Sequence, residues 1–93
     1  MYIVVGGLGT NRAYYAPLKA HLGQQLTIFE LKKDANHVKS LTSYLNVQRR
    51  PYVLIAFSLG CVLVMKSLPL LRARPVKIFF VNPSNIVIDT CVN

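Results

Sequence analysis

Ser58 is the residue of this sequence whose surroundings best suit chemistry. It follows an apolar run, Tyr52 to Phe57, and stands between two small residues, Ala56 and Gly60. A strand that turns into a helix over a few residues brings its backbone close to itself, so the positions two before and two after the bend must be small. Such a bend exposes a serine hydroxyl beside the positive N-terminus of the next helix, where a nucleophile could act.

Four short apolar runs predict the strands that position this serine. They are rich in Val, Ile, Phe and Tyr and nearly continuous in hydrophobicity, as in parallel strands that are buried on both faces. The predicted strands are Tyr2 to Val5, Leu26 to Leu31, Tyr52 to Phe57 and Val76 to Val81.

The segments between these strands predict three helices. Apolar residues recur at helical spacing in 12–22, where Pro17 favours a start at Ala16, and in 37–47, where Asn36 is a suitable N-cap. A third helix, 59–68, is apolar almost all round, and Pro69 disfavours its continuation. Strands and helices alternate, so we expect one α/β domain over residues 1–93. Its expected architecture is a three-layer αβα sandwich around a mainly parallel sheet of about four strands.

These elements resemble a known family. The segment Ala56 to Gly60 resembles the nucleophile elbow of the α/β-hydrolases, usually Gly-x-Ser-x-Gly, with alanine in the first small position. Upstream, Gly6, Gly7, Leu8 and Gly9 resemble the turn after the family's third strand, often His-Gly-x-Gly, with Gly6 replacing the histidine. The similarity covers family strands three to six, and it implies an α/β-hydrolase-like core of an esterase, lipase or thioesterase.

The resemblance implies roles for these residues. Ser58 would attack the carbonyl of a small acyl ester or thioester, and the backbone N–H groups of Leu8 and Leu59 would stabilise the oxyanion. Family strands three and five are neighbours, which would place the glycine turn beside Ser58. No cofactor is implied. Cys61 and Cys91 lack metal-ligand spacing, so no metal site is expected.

The acid and base of such a mechanism have no clear counterpart here. The family order is Ser, then Asp or Glu, then His, but Asp89 is the one carboxylate after Ser58 and no histidine follows it. Asp89 lies in a segment typical of a tail or turn. His37 is expected on the correct edge of the sheet but a strand too far away, and His21 at the opposite end. The chain is therefore a fragment, an inactive relative, or a protein that completes its site with another chain.

The balance of 11 Lys and Arg against 3 Asp and Glu gives a net charge of +8, which favours acidic partners. The basic pairs Lys32–Lys33, Arg49–Arg50 and Arg72–Arg74 fall in separate predicted loops or helix ends, so neither nucleic acid nor a membrane is an expected partner. Open sheet edges favour self-association or pairing with a partner chain. The N-terminal residues show no secretory signal, and we expect a cytoplasmic protein.

Three other interpretations compete with a hydrolase. A dinucleotide-binding unit would use Gly7, Gly9 and Glu30, but Arg12 occupies the place of the third glycine. A single membrane span over 52–71 would place Lys66 in the hydrocarbon. A catalytically inactive interaction protein would keep the same layered core without using Ser58.

Overall fold

A computed structural model describes residues 1–6, 15–31 and 36–81, together with the backbone of 87–91. These residues form five strands, three α-helices and two short 3-10 helices, Gly23–Gln25 and Leu68–Leu70. The strands and α-helices follow one another as β1 (Tyr2–Val5), α1 (Ala16–Leu22), β2 (Leu26–Phe29), α2 (His37–Asn46), β3 (Val53–Phe57), α3 (Leu59–Ser67), β4 (Lys77–Val81) and β5 (Val87–Cys91).

The strands form one sheet in the order β2-β1-β3-β4-β5. The first four pair in parallel, whereas β5 runs antiparallel to β4. This arrangement confirms the predicted α/β class and its mainly parallel sheet. The fifth strand includes Asp89, so the prediction of a tail or turn at this residue is wrong. Its pairing covers the outer edge of β4, an edge that would otherwise present unpaired backbone groups.

Helices cover both faces of the sheet. On one face, Ile3, Leu54 and Ile78 of the sheet pack against α2 and α3. The helix residues of this core are Leu41, Leu45, Leu63 and Val64. On the other face, Val4, Leu26 and Ile55 pack with Tyr15 and with Leu18 and Leu22 of α1. Successive strand residues thus point into two different cores, which explains why the strands are apolar at almost every position.

The observed helix starts agree with the sequence signals. α1 begins at Ala16 with proline in its first turn, where a missing N–H costs nothing. The side chain of Asn36 caps α2 by accepting a hydrogen bond from the backbone N–H of Lys39 at 3.1 Å.

The apolar window 52–71 divides into β3, α3 and a 3-10 turn. Among the residues that the structure describes, no helix has the length and hydrophobicity needed to cross a membrane. The interpretation as a single membrane span is therefore wrong, because the window reverses direction at Ser58 and Pro69 lies in the 3-10 turn that follows α3.

Candidate active site

Ser58 occupies the bend between β3 and α3, with φ 54° and ψ −118°. Across the described residues it is the one non-glycine residue with positive φ. A side chain in this region costs roughly 1 to 3 kcal/mol, so the surrounding structure must impose the conformation. Strain of this kind concentrates at functional sites, which makes Ser58 the centre of the candidate site.

Backbone hydrogen bonds fix the bend and leave the hydroxyl exposed. The N–H of Ser58 donates to the carbonyl of Val81 at 3.1 Å, and the N–H of Cys61 donates to the carbonyl of Ser58 at 3.0 Å. Ser58 stands at the N-cap of α3, but its side chain makes no capping hydrogen bond. The hydroxyl oxygen of a serine at this position usually accepts a hydrogen bond from an N–H group in the first turn of the helix. Here Ser58 is exposed, and its hydroxyl makes no capping hydrogen bond to α3.

Gly60 allows α3 to begin directly against the end of β1. A Cβ atom at this position would lie 2.0 Å from the carbonyl oxygen of Val5 and 3.3 Å from that of Gly6. Any side chain would push the first turn of α3 away from the sheet. Ala56, on the other side of the bend, is fully buried opposite Val5 and Phe80. Gly60 is therefore small for a steric reason, and Ala56 is a small residue in a fully buried position.

The contact with Val5 and Gly6 places the end of β1 beside the bend. The predicted glycine turn starts at this point, next to Ser58. Gly7, Leu8 and Gly9 lie outside the described residues, so the role of the Leu8 amide stays a prediction. Leu59 is the first residue of α3, and an N–H in the first turn of a helix has no acceptor within the helix. The role of its amide as an oxyanion donor stays a prediction as well.

A family comparison agrees with this geometry. A family model described as serine hydrolase matches residues 17–92, which include Ser58 and its flanking strand and helix. The chain belongs to the serine hydrolase family. A search of curated proteins and a search of solved structures each returned no match.

In this serine hydrolase, a cysteine that the sequence analysis did not assign to the site ties the bend to two strands. The thiol of Cys61 donates to the carbonyl of Ala56 at 3.3 Å and approaches that of Val81 at 3.6 Å. Burial raises the pKa of this thiol, which keeps it protonated and able to donate. The carbonyl of Val81 thus contacts both the Ser58 N–H and the Cys61 thiol. A cysteine three residues after the serine was the available sequence signal.

A second unassigned residue, Tyr15, brings α1 to the site of the serine hydrolase. Its ring lies 5.3 Å from that of Phe57, centroid to centroid, at an angle of 54°. Phe57 directly precedes Ser58, and Tyr15 is 3% exposed. An aromatic pair of this kind adds about 0.5 to 1.5 kcal/mol beyond simple burial. It fixes the start of α1 next to the bend on the sheet face opposite α3.

The predicted acid and base candidates of this serine hydrolase belong to elements at the two edges of the sheet. His37 is the first residue of α2, and it follows β2, which β1 separates from β3. Asp89 belongs to β5, opposite Phe79, and β4 separates it from β3. Each strand step adds about 4.8 Å, so both strands lie about 10 Å from β3. His21 is exposed in the last turn of α1.

The described part of the serine hydrolase offers no metal site either. Three His, Cys, Asp or Glu side chains do not come together anywhere in it.

Proposed function

We propose that this serine hydrolase is an α/β-hydrolase-type core that cleaves carboxylic esters or thioesters, with Ser58 as the nucleophile. The observation that carries the proposal is the conformation of Ser58. A non-glycine residue held at positive φ, with its hydroxyl exposed and uncapped at a helix N-terminus, is the arrangement that a nucleophile elbow requires.

The reaction follows from these groups. The Ser58 oxygen attacks the acyl carbon while its proton passes to a base, and the carbonyl oxygen becomes an oxyanion. The N–H of Leu59 and, by resemblance, that of Leu8 stabilise this charge, and the loss of one such donor typically costs about 10² to 10³ in rate. The alcohol or thiol then leaves with a proton. Water cleaves the acyl-enzyme, which releases the acid and restores Ser58.

The mechanism also requires a base that takes the proton of Ser58. His37 and Asp89 are the candidates within the chain. His37 begins the helix that follows β2, and Asp89 lies in β5. Both strands are two places from β3 in the sheet. A histidine from a partner chain is the other source, in line with a site completed by association. Added imidazole tests this point, because it accelerates acylation of Ser58 if the chain by itself lacks a base.

Labelling with a fluorophosphonate probe tests the nucleophile. We expect covalent modification of the wild-type protein, its loss in Ser58→Ala, and its retention in Ser40→Ala, which removes an exposed hydroxyl from α2. Folded protein that stays unlabelled with and without imidazole, or label that persists in Ser58→Ala, overturns the proposal. Matched nitrophenyl ester and thioester substrates then distinguish the two substrate classes.

A catalytically inactive interaction protein is the second candidate. It is favoured by the position of β2 at an edge of the sheet. An edge strand can pair with a second copy or with another chain. Silent Ser58 in a folded protein that sediments as a dimer or larger assembly supports this function.

A further inference from the structure

The loops at the amino end of the parallel strands carry a second feature of this protein. The register aligns Tyr2 with Leu26 and with Val53, and Val53 with Lys77, so the four parallel strands start at a common level. The segments 47–52 and 71–76 lead into β3 and β4 at this level. Ser58 follows the carboxyl end of β3, so these two loops lie at the opposite end of the sheet from the candidate active site.

Hydrogen bonds tie the two loops to each other. The side-chain oxygen of Asn46 accepts from the backbone N–H groups of Arg72 at 2.7 Å and Ala73 at 3.2 Å. The hydroxyl of Tyr52 donates to the carbonyl of Ala73, and the N–H of Val76 donates to the carbonyl of Tyr52 at 2.9 Å. These contacts bring together basic pairs that the sequence placed in separate loops.

The charged side chains of the two joined loops are all basic. Four exposed arginines belong to it, Arg49, Arg50, Arg72 and Arg74, and Lys66 is exposed in the last turn of α3. The segments 46–53 and 65–77 contain no Asp or Glu. We name these five residues, with the neighbouring Val47 and Val76, the basic end. Its cations have no acidic side chain in their own segments to neutralise them.

Two aliphatic side chains lie among these cations. Val47, at the end of α2, is 70% exposed, and Val76, just before β4, is 52% exposed. Apolar side chains that remain in solvent beside cations are a combination found on surfaces that contact lipid headgroups. Single-stranded nucleic acid would instead favour exposed aromatic rings on which bases stack. None of the large hydrophobic residues that are exposed in the described part of the chain is aromatic.

We propose that the basic end binds an anionic lipid surface. Charge complementarity supplies the main attraction, and the two valines add contact with the headgroup layer. A peripheral contact of this kind needs no spanning helix. The expectation against a membrane partner, drawn from basic pairs in separate loops, changes because the fold unites two of these pairs. The proposal does not rest on the chemistry of Ser58, which faces away from the bound surface.

Co-sedimentation with lipid vesicles tests the proposal. We expect the wild-type protein to bind vesicles of phosphatidylcholine with phosphatidylserine, to bind pure phosphatidylcholine weakly, and to dissociate from the anionic vesicles as salt increases. Arg50→Gln and Arg72→Gln should each lower the partition coefficient about fivefold, since a cation near an anionic surface contributes about that factor. Val47→Ser should also weaken vesicle binding, and the size of this loss should depend little on the salt concentration.

Matched variants separate this surface from general charge and from catalysis. Lys39→Gln removes one exposed charge from the first turn of α2, near the carboxyl end of the sheet, and should change binding far less than Arg50→Gln. Ser58→Ala should bind vesicles like wild type. Circular dichroism of each variant is the control for folding.

Three results would overturn the proposal. One is equal binding to neutral and anionic vesicles, and another is equal effects of Lys39→Gln and Arg50→Gln. The third is binding to an RNA oligonucleotide or an acidic peptide by a protein that ignores vesicles, which would assign the basic end to that partner instead.

Discussion

Gly60 and Val5 lie so close that a Cβ atom on the glycine would meet the strand carbonyl oxygen at 2.0 Å. The contact joins the first turn of α3 to the end of β1, although Val5 and Gly60 are 55 positions apart in the sequence. It holds the bend at Ser58 against Gly6, where the predicted glycine turn begins. Two segments that are distant in the sequence are neighbours because of this approach.

Gly60→Ala should therefore destabilise the protein by about 1 to 3 kcal/mol, the usual cost of forcing extra volume into a packed core. The free energy of unfolding, measured in urea, checks this value. Ser40→Ala provides the control, because it adds no volume and improves helix propensity on an exposed face of α2. Equal stability of Gly60→Ala and wild type would show that the helix does not approach β1 as described.

The strain at Ser58 predicts an unusual order of stability for two variants that both lack the hydroxyl. Ser58→Gly should be more stable than Ser58→Ala by about 1 kcal/mol, because glycine tolerates positive φ without a steric penalty. At ordinary positions the order is reversed, since glycine loses more backbone entropy on folding. Thermal and urea unfolding of the pair measure the difference, and the ordinary order would contradict the backbone conformation.

Asn46 should matter through its side-chain oxygen. Asn46→Ala removes the acceptor of two N–H groups, that of Arg72 at an exposed position and that of Ala73 at a half-buried one, at a cost of about 0.5 to 1.5 kcal/mol for each hydrogen bond. Asn46→Asp keeps the acceptor and should retain most of the stability. Urea unfolding compares the two variants, and similar losses in both would mean that these two hydrogen bonds do not stabilise the loops.

Tyr52 predicts a stability change at high pH. The side chain is 2% exposed, and burial raises its pKa from 10.0 to about 12. Since the folded state keeps the phenol proton that the unfolded chain releases, the contribution of this proton is complete below pH 10 and is lost as pH rises through about 12.

The comparison with Tyr52→Phe isolates this effect, because phenylalanine keeps the ring but cannot titrate. The unfolding free energy of wild type minus that of Tyr52→Phe should be constant up to about pH 10 and should change in the direction that disfavours wild type above it. A difference that stays constant to pH 12 would contradict a buried, protonated phenol.

Much of the fold could be predicted because burial on both faces of a parallel sheet leaves a local signal. Runs that are apolar at nearly every position predicted β1 to β4 within a few residues. The segments between them have helical periodicity and predicted α1 to α3. β5 was not predicted. A short apolar segment becomes a strand only when it pairs, and its partner here is the outer edge of β4.

The sequence by itself indicated the bend at Ser58, because small residues two before and two after a serine, between an apolar run and a helical segment, form a pattern along the chain. The carbonyl of Val5, which leaves no room for a side chain at Gly60, comes from another strand. Tertiary structure decided which residues surround the bend. The contacts of Cys61 with Val81 and of Tyr15 with Phe57 join segments that are distant along the chain. The same holds for the basic end, where Asn46 meets Arg72 across 26 residues. Such hydrogen bonds and packing contacts depend on how strands align in the sheet, and no local pattern of residue types encodes that alignment.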